Sequence, residues 1–228
     1  MESYRKTGII VGLLFIIATV TAILTIVFLG STLEIPLDFT LISANEFQLV
    51  ISVVFWLILA VSVIGIGAMM YPILKKYHEG LALGYVILRL TESILIIIAS
   101  ISILSLLTLS QEYVTGNLDI SFYQPLGSLL LALQNWSFEI GTLIFLGLGG
   151  LFLYYPLYEL RFVPRWLSGW GLIGAICVLL YGLLSLFGIA DSMIVNLLAA
   201  PIAIQEMVFA VWLIFKGFKQ EEIKLKSY

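Results

Sequence analysis

Charged residues are what this chain has least of: Lys, Arg, Asp and Glu make up 11% of its 228 residues, where a water-soluble chain carries roughly a quarter. Too few polar side chains remain to cover a soluble fold of this length. The formal net charge of −3 is small and scattered, so no nucleic-acid partner is expected. The one cysteine, Cys177, lies in an apolar run, which excludes an intramolecular disulfide and reads as a small core residue. The one histidine, His78, lies in the polar stretch KKYHEG, which reads as a determinant of topology. With so few His and Cys, a zinc site of the usual ligand spacing is not expected. A serine triad would have to use His78, and no G-x-S-x-G is present. Walker A and dinucleotide glycine patterns are missing too, which argues against a nucleotide-driven pump. No cofactor or metal is implied, and no catalytic constellation is visible.

Apolar residues are what the chain has in excess, 61% of the total, with a mean hydropathy of +1.13. Six runs, over residues 8–29, 47–71, 81–109, 126–155, 166–188 and 193–215, each supply the roughly 20 helical residues that a bilayer crossing needs. The third and fourth are long for a hydrocarbon core of about 30 Å, so they tilt or reach into the interface. The first follows Arg5 and Lys6, but it is too long for a signal peptide and shows no small-residue cleavage site, so it reads as a retained span. The expected fold is an all-α integral membrane protein, a six-transmembrane-helix bundle forming a single polytopic domain over residues 1–228.

Lys and Arg fall at 5 and 6, 75 and 76, 161 and 165, and 216, 219, 224 and 226, all on one side of such a bundle. The other three connections carry Glu34, Asp38, Glu46, Glu112, Asp119 and Asp191 and no cation. By the positive-inside rule both termini are expected in the cytoplasm. Tyr71, Tyr77, Tyr154, Tyr155, Tyr158, Trp166, Trp170 and Trp212 fall near the same side, where amphipathic rings anchor. GIGAMMYP and GLGGLFLYYP close the second and fourth spans alike, an echo that interfacial Tyr and helix-ending Pro explain without a duplication.

Four ionisable residues interrupt the apolar runs: Arg89 and Glu92 in the third, Glu139 in the fourth and Glu206 in the sixth. Each costs about 2.5–3.5 kcal/mol to place at the centre of a membrane helix, so such residues pair and face inward. At 1.5 Å per residue, Arg89 lies about 12 Å and Glu92 about 16 Å into their helix, Glu206 about 15 Å before Lys216, and Glu139 about 24 Å before Tyr155. These depths allow one polar layer from spans three, four and six. Tyr85, Arg89, Glu92, Ser93, Ile96 and Ser100 share a helical stripe, as do Asn135, Glu139, Thr142 and Gly149. Ala199, Ala203 and Ala210 lie on the face of Glu206, where small residues admit a neighbouring helix. Arg89 and Glu92, at i and i+3, can pair within their own helix. Three carboxyls then face one guanidinium, and at least one is expected to hold a proton at neutral pH.

Gly8-x-x-x-Gly12 and Gly80-x-x-x-Gly84 match the close-packing motif of membrane helices. Pro201, five residues before Glu206, removes a backbone hydrogen bond and reads as a bend.

YRKTGIIVGLLFI, LRLTESI, FVPRWLSGWGLIGAICVLLYG and QEMVFAVWLIFKGF together resemble the bacterial and archaeal membrane proteins grouped as domain-of-unknown-function family 4386. The matching positions are Arg5, Gly8, Arg89, Glu92, Pro164, Arg165, Gly169, Glu206, Trp212, Lys216 and Gly217. The resemblance implies six spans in the cell membrane of a bacterium or archaeon and supplies no chemistry. It departs in the fourth span, where the family more often carries a histidine and this chain has the Asn135–Glu139 region.

The residues expected to hold a ligand or proton are Arg89, Glu92, Asn135, Glu139 and Glu206. Acid-rich sites within a membrane suit a small cation, a proton-coupled solute or another small ligand, bound or transported. The alternatives are an intramembrane enzyme acting on a lipid, with one glutamate as general acid or base, and a structural or regulatory subunit whose charges fix helix packing. The partner the composition requires is the lipid bilayer.

Overall fold

The computed structural model describes residues 2–30, 32–33, 35–116, 120–189 and 192–219, and among these there are helices and no strands. The helices are α1 (Glu2–Leu29), α2 (Phe39–Ala44), α3 (Glu46–Leu74), α4 (Glu79–Val114), α5 (Ile120–Glu139), α6 (Leu146–Leu160), α7 (Arg165–Leu186) and α8 (Ser192–Phe215). Between α5 and α6 the chain widens into a π-helical segment, Ile140–Phe145, without leaving the helix axis. Six helices are long and apolar enough to cross a membrane, with α5, the π segment and α6 together forming the fourth. The expected six-span bundle is therefore the architecture found. Glu34, Asp119, Asp191, Lys224 and Lys226, used above to read topology, lie outside the described residues.

Backbone polar groups cannot be left unpaired in lipid, which is why helix is the only spanning form these segments can take. Their hydroxyls follow the same rule. Thr21, Thr25, Ser62, Ser100 and Ser102 each donate to a carbonyl one turn back in their own helix, so they are buried without an orphaned donor.

The long third and fourth runs are longer still in the structure. Helix α4 has 36 residues, about 54 Å, and α5 begins at Ile120, so most of the expected loop over 110–125 is helical. Beyond the bilayer span these helices are capped by α2, which packs on α4 through Phe39, whose ring lies 5.3 Å from that of Tyr113 and 6.0 Å from that of Tyr123. Asp38 caps α2: its Oδ1 accepts from the amides of Thr40 and Leu41, and Thr40 Oγ1 donates to it as well. The Thr40 hydroxyl, then the amides, hold the Asp38 carboxyl below its ordinary range.

The short connections are pinned. His78 caps α4, its Nδ1 accepting from the amide of Leu81 at 3.3 Å. Pro72 and Pro156, expected to end their helices, lie inside them near the last turn. Lys76 sits over the ring of Tyr4, 5.4 Å from its centroid, and the amide of Lys219 donates to the carbonyl of Phe162. The N-terminus, both cation-bearing loops and the end of α8 therefore share one face, here termed the termini side.

The interior is two cores rather than one. On the termini side Phe15, Ile66, Met70, Tyr85, Leu153, Tyr154 and Phe209 pack together. On the far side Ala18, Ile42, Trp56, Val63, Ile96, Ile103 and Tyr123 do. The boundary passes between Phe15 and Ala18 of α1, Val63 and Ile66 of α3, and Tyr85 and Ile96 of α4. Arg89 and Glu92 lie at that boundary.

Candidate functional site

Helix α4 presents Tyr85, Arg89, Glu92 and Ser93 to the interior, as their common stripe requires, and all four are buried. Arg89 Nε donates to the hydroxyl of Tyr85 at 3.0 Å, and its Nη1 donates to Glu92 Oε2 at 2.8 Å. Its Nη2 lies 3.7 Å from Oε1 of Glu206 on α8, an ion pair longer than a hydrogen bond. The guanidinium carbon lies 5.8 Å from the ring centroid of Phe15 and 5.5 Å from that of Tyr85, within cation–π range. Ser93 Oγ lies 3.0 Å from the carbonyl of Ala60 and 2.9 Å from that of Arg89, able to donate to either.

Glycines bring the neighbours in. A β-carbon on Gly67 of α3 would sit 3.1 Å from Cβ of Arg89, and one on Gly141 in the π segment 3.3 Å from the carbonyl oxygen of Glu92. A methyl group at either would press on the backbone or side chain of the helix that carries the guanidinium, which would have to give by a few tenths of an ångström. On α8 the equivalent device is alanine: Ala210 meets Gly12 of α1, and Ala203 leaves room above Glu206.

That room is a cavity of about 300 Å³. Its floor is Arg89, Glu92 and Glu206. Its walls include Phe15, Ala18 and Ala22 of α1, Leu59 and Val63 of α3, Phe138 of α5, Thr142 of the π segment and Ala203 of α8. Only Thr142 and Thr19 add polar atoms to an otherwise apolar lining. Thr142 Oγ1 donates to the carbonyl of Phe138 at 2.8 Å.

The cavity opens sideways. Helices α1 and α8 are locked together on the termini side, where the Phe15 and Phe209 rings meet edge to face and Gly12 approaches the Ala210 carbonyl. Farther from the termini Ala18, Thr19 and Ala22 of α1 and Ala203 of α8 line the cavity. Ile23 and Ile26, which line the cavity, are 56% and 70% exposed on the apolar girdle of the bundle. A molecule dissolved in the lipid therefore has a path to Glu206 between these two helices.

Three of the five expected residues, Arg89, Glu92 and Glu206, come together. Glu139 and Asn135 do not. Glu139 Oε2 accepts from Ser185 Oγ of α7 at 2.7 Å, and Asn135 lies exposed on α5. The expected single layer from spans three, four and six is thus a triad from α4 and α8, with a separate α5–α7 pair. The register explains the difference. Gly141 packs on Glu92, and the ring of Tyr123 lies 5.2 Å from that of Tyr113, which carries Glu139 one to two turns past Glu92 along α4. The π turn that follows Glu139 is a deviation often found beside functional groups.

Sequence reasoning passed over the α1 wall. Phe15, Ala18 and Ala22 are generic membrane residues, and their one signal is that they follow the Gly8-x-x-x-Gly12 motif on a single helix. Among the described residues no three His, Cys, Asp or Glu side chains converge as metal ligands.

A family model, Domain of unknown function (DUF4386), matches residues 10–217. The chain belongs to that family. Neither the curated proteins nor the solved structures contain a match.

Proposed function

We propose that this member of the DUF4386 family binds a small, mostly apolar ligand inside the membrane, admitted from the lipid between α1 and α8 and held by its one polar group at the Arg89–Glu92–Glu206 triad. The observation that carries the reading is the cavity itself, apolar along its walls, ionic at its floor and open to the side. Buried pockets with few, convergent polar groups are the usual form of small-molecule sites. A carboxylate within the membrane whose nearest cation is 3.7 Å away costs stability, and a bound ligand would offset that cost.

Transport would add a second opening, toward water, to the same site. Catalysis on a lipid would use Glu206 as the acid or base, since it is the more exposed of the two carboxyls at the cavity floor. One observation favours a structural contribution as well: Arg89 and Glu92 are almost sealed, their side chains 3% and 5% exposed, and that pair fixes α4. The concentration of Lys and Arg on the termini side supports placing that side in the cytoplasm of a bacterium or archaeon.

The test is ligand-induced thermal stabilisation in lipid nanodiscs, with n-decanol as probe. Decanol is expected to raise Tm in a concentration-dependent way in the wild type. Ala203→Leu, which grows into the cavity, is expected to lose that response. An equal response in both proteins would place decanol binding elsewhere and remove the reading.

A further inference from the structure

We propose that the polar group of this ligand is an organic monocation, an amine-bearing amphiphile whose ammonium binds Glu206. The inference rests on the reading above and adds the charge class. One guanidinium stands among two carboxyls, so with both ionised the triad lacks one positive charge, which either a proton or a cationic ligand supplies in a medium where the imbalance is costly. Arg89 is already directed: Nε to Tyr85, Nη1 to Glu92, with the rings of Phe15 and Tyr85 5.8 and 5.5 Å from its guanidinium carbon. An anionic headgroup reaching Nη2 would lie beside the carboxyls of both Glu92 and Glu206, which repel it.

Glu206 differs from Glu92. Both line the cavity, but the Glu206 side chain is 15% exposed against 5%, and its nearest cation is 3.7 Å away against 2.8 Å. It therefore keeps lone pairs for a donor arriving from the portal. Thr142 agrees in sense, because its hydroxyl proton goes to the Phe138 carbonyl and its remaining lone pairs are acceptors. Both groups accept hydrogen bonds, and a primary ammonium donates three. The Phe15 and Phe138 side chains on the wall suit the hydrocarbon tail of such an amphiphile. A metal ion would suit the place less well, since a hard cation wants six or more oxygen ligands and the walls here are hydrocarbon.

Apparent dissociation constants in nanodiscs of zwitterionic lipid separate the alternatives, with n-decylammonium, n-decanol and n-decanoate as probes of one chain length. Wild type is expected to bind decylammonium about tenfold more tightly than decanol, the worth of a charge-assisted hydrogen bond, and decanoate more weakly than decanol. Glu206→Gln is expected to erase the preference for decylammonium and leave decanol binding intact. Thr142→Val is expected to lower that preference in part. Equal binding of decylammonium and decanol by the wild type would overturn the charge class and leave the cavity reading standing. So would a preference that survives Glu206→Gln. If no probe binds the wild type more tightly than Ala203→Leu, the cavity reading falls and this inference falls with it. Should Glu206→Gln not fold, the order of decylammonium, decanol and decanoate on the wild type decides.

Discussion

Arg89 and Glu206 belong to one ion cluster but carry unequal structural weight. Arg89 has a short bond to Glu92, another to Tyr85 and two aromatic rings within cation–π range, whereas Glu206 meets it only at 3.7 Å. Removing Arg89 strands Glu92, a carboxyl with no water to reach, and breaking a buried pair in this way typically costs about 3–5 kcal/mol. Arg89→Met is therefore expected to melt far below the wild type in detergent. Glu206→Gln keeps the shape and removes a charge that the structure accommodates loosely, so its Tm is expected to equal or exceed that of the wild type. If both variants melted alike, the triad would be a single structural unit. The sequence showed the Arg89–Glu92 pair because i, i+3 spacing determines it within one helix. Which helix a third carboxyl meets depends on register and on neighbours, and neither is local. That is why Glu139 was counted with the triad and lies instead against Ser185.

At the scale of helices, faces are set by small residues more than by amphipathic pattern. Helices α1, α3 and α7 are apolar all round, as spans bathed in lipid are, so hydrophobic periodicity says little about which side turns inward. Close approach says more. A β-carbon on Gly12 would lie 2.6 Å from the carbonyl oxygen of Ala210, and one on Gly8 3.3 Å from that of Leu213. The first Gly-x-x-x-Gly motif thus binds α1 to α8 and fixes the lower edge of the portal. In the second, Gly84 meets the ring of Phe152, while Gly80 meets only the side chain of His78 in its own turn. The motif is legible in both places, and the contact that gives it meaning is not. Gly12→Val is expected to force α1 from α8 and lower Tm by several degrees, the effect of about 1–3 kcal/mol of overpacking. Gly80→Ala is expected to be neutral or mildly stabilising, because alanine favours helix by roughly 1 kcal/mol over glycine. Thermal melts of the two variants beside the wild type decide whether the contact or the motif matters.

The whole molecule is polar at both ends and unequal between them. Every described Lys and Arg outside α4 lies on the termini side, and the described acids Asp38, Glu46 and Glu112 lie on the far side with α2 and the ends of α4 and α5. The sequence made this division legible because topology depends on composition counted by loop, which needs no knowledge of packing. It did not show that the polar triad separates two cores, since that depends on contacts among four helices. The division has a consequence for direction. If the termini side is cytoplasmic, the cavity, which opens beyond the Gly12–Ala210 contact, takes its ligand from the outer half of the bilayer. Single cysteines in a Cys177→Ser background test this in intact cells with a membrane-impermeant maleimide. Val114→Cys, at the far end of α4 and exposed, is expected to label without permeabilisation. Lys75→Cys, in the α3–α4 connection, is expected to label only after it. The reverse pattern would invert the protein in its membrane and move the portal to the inner leaflet, so that a ligand made in the cytoplasm would reach Glu206 without first crossing the bilayer.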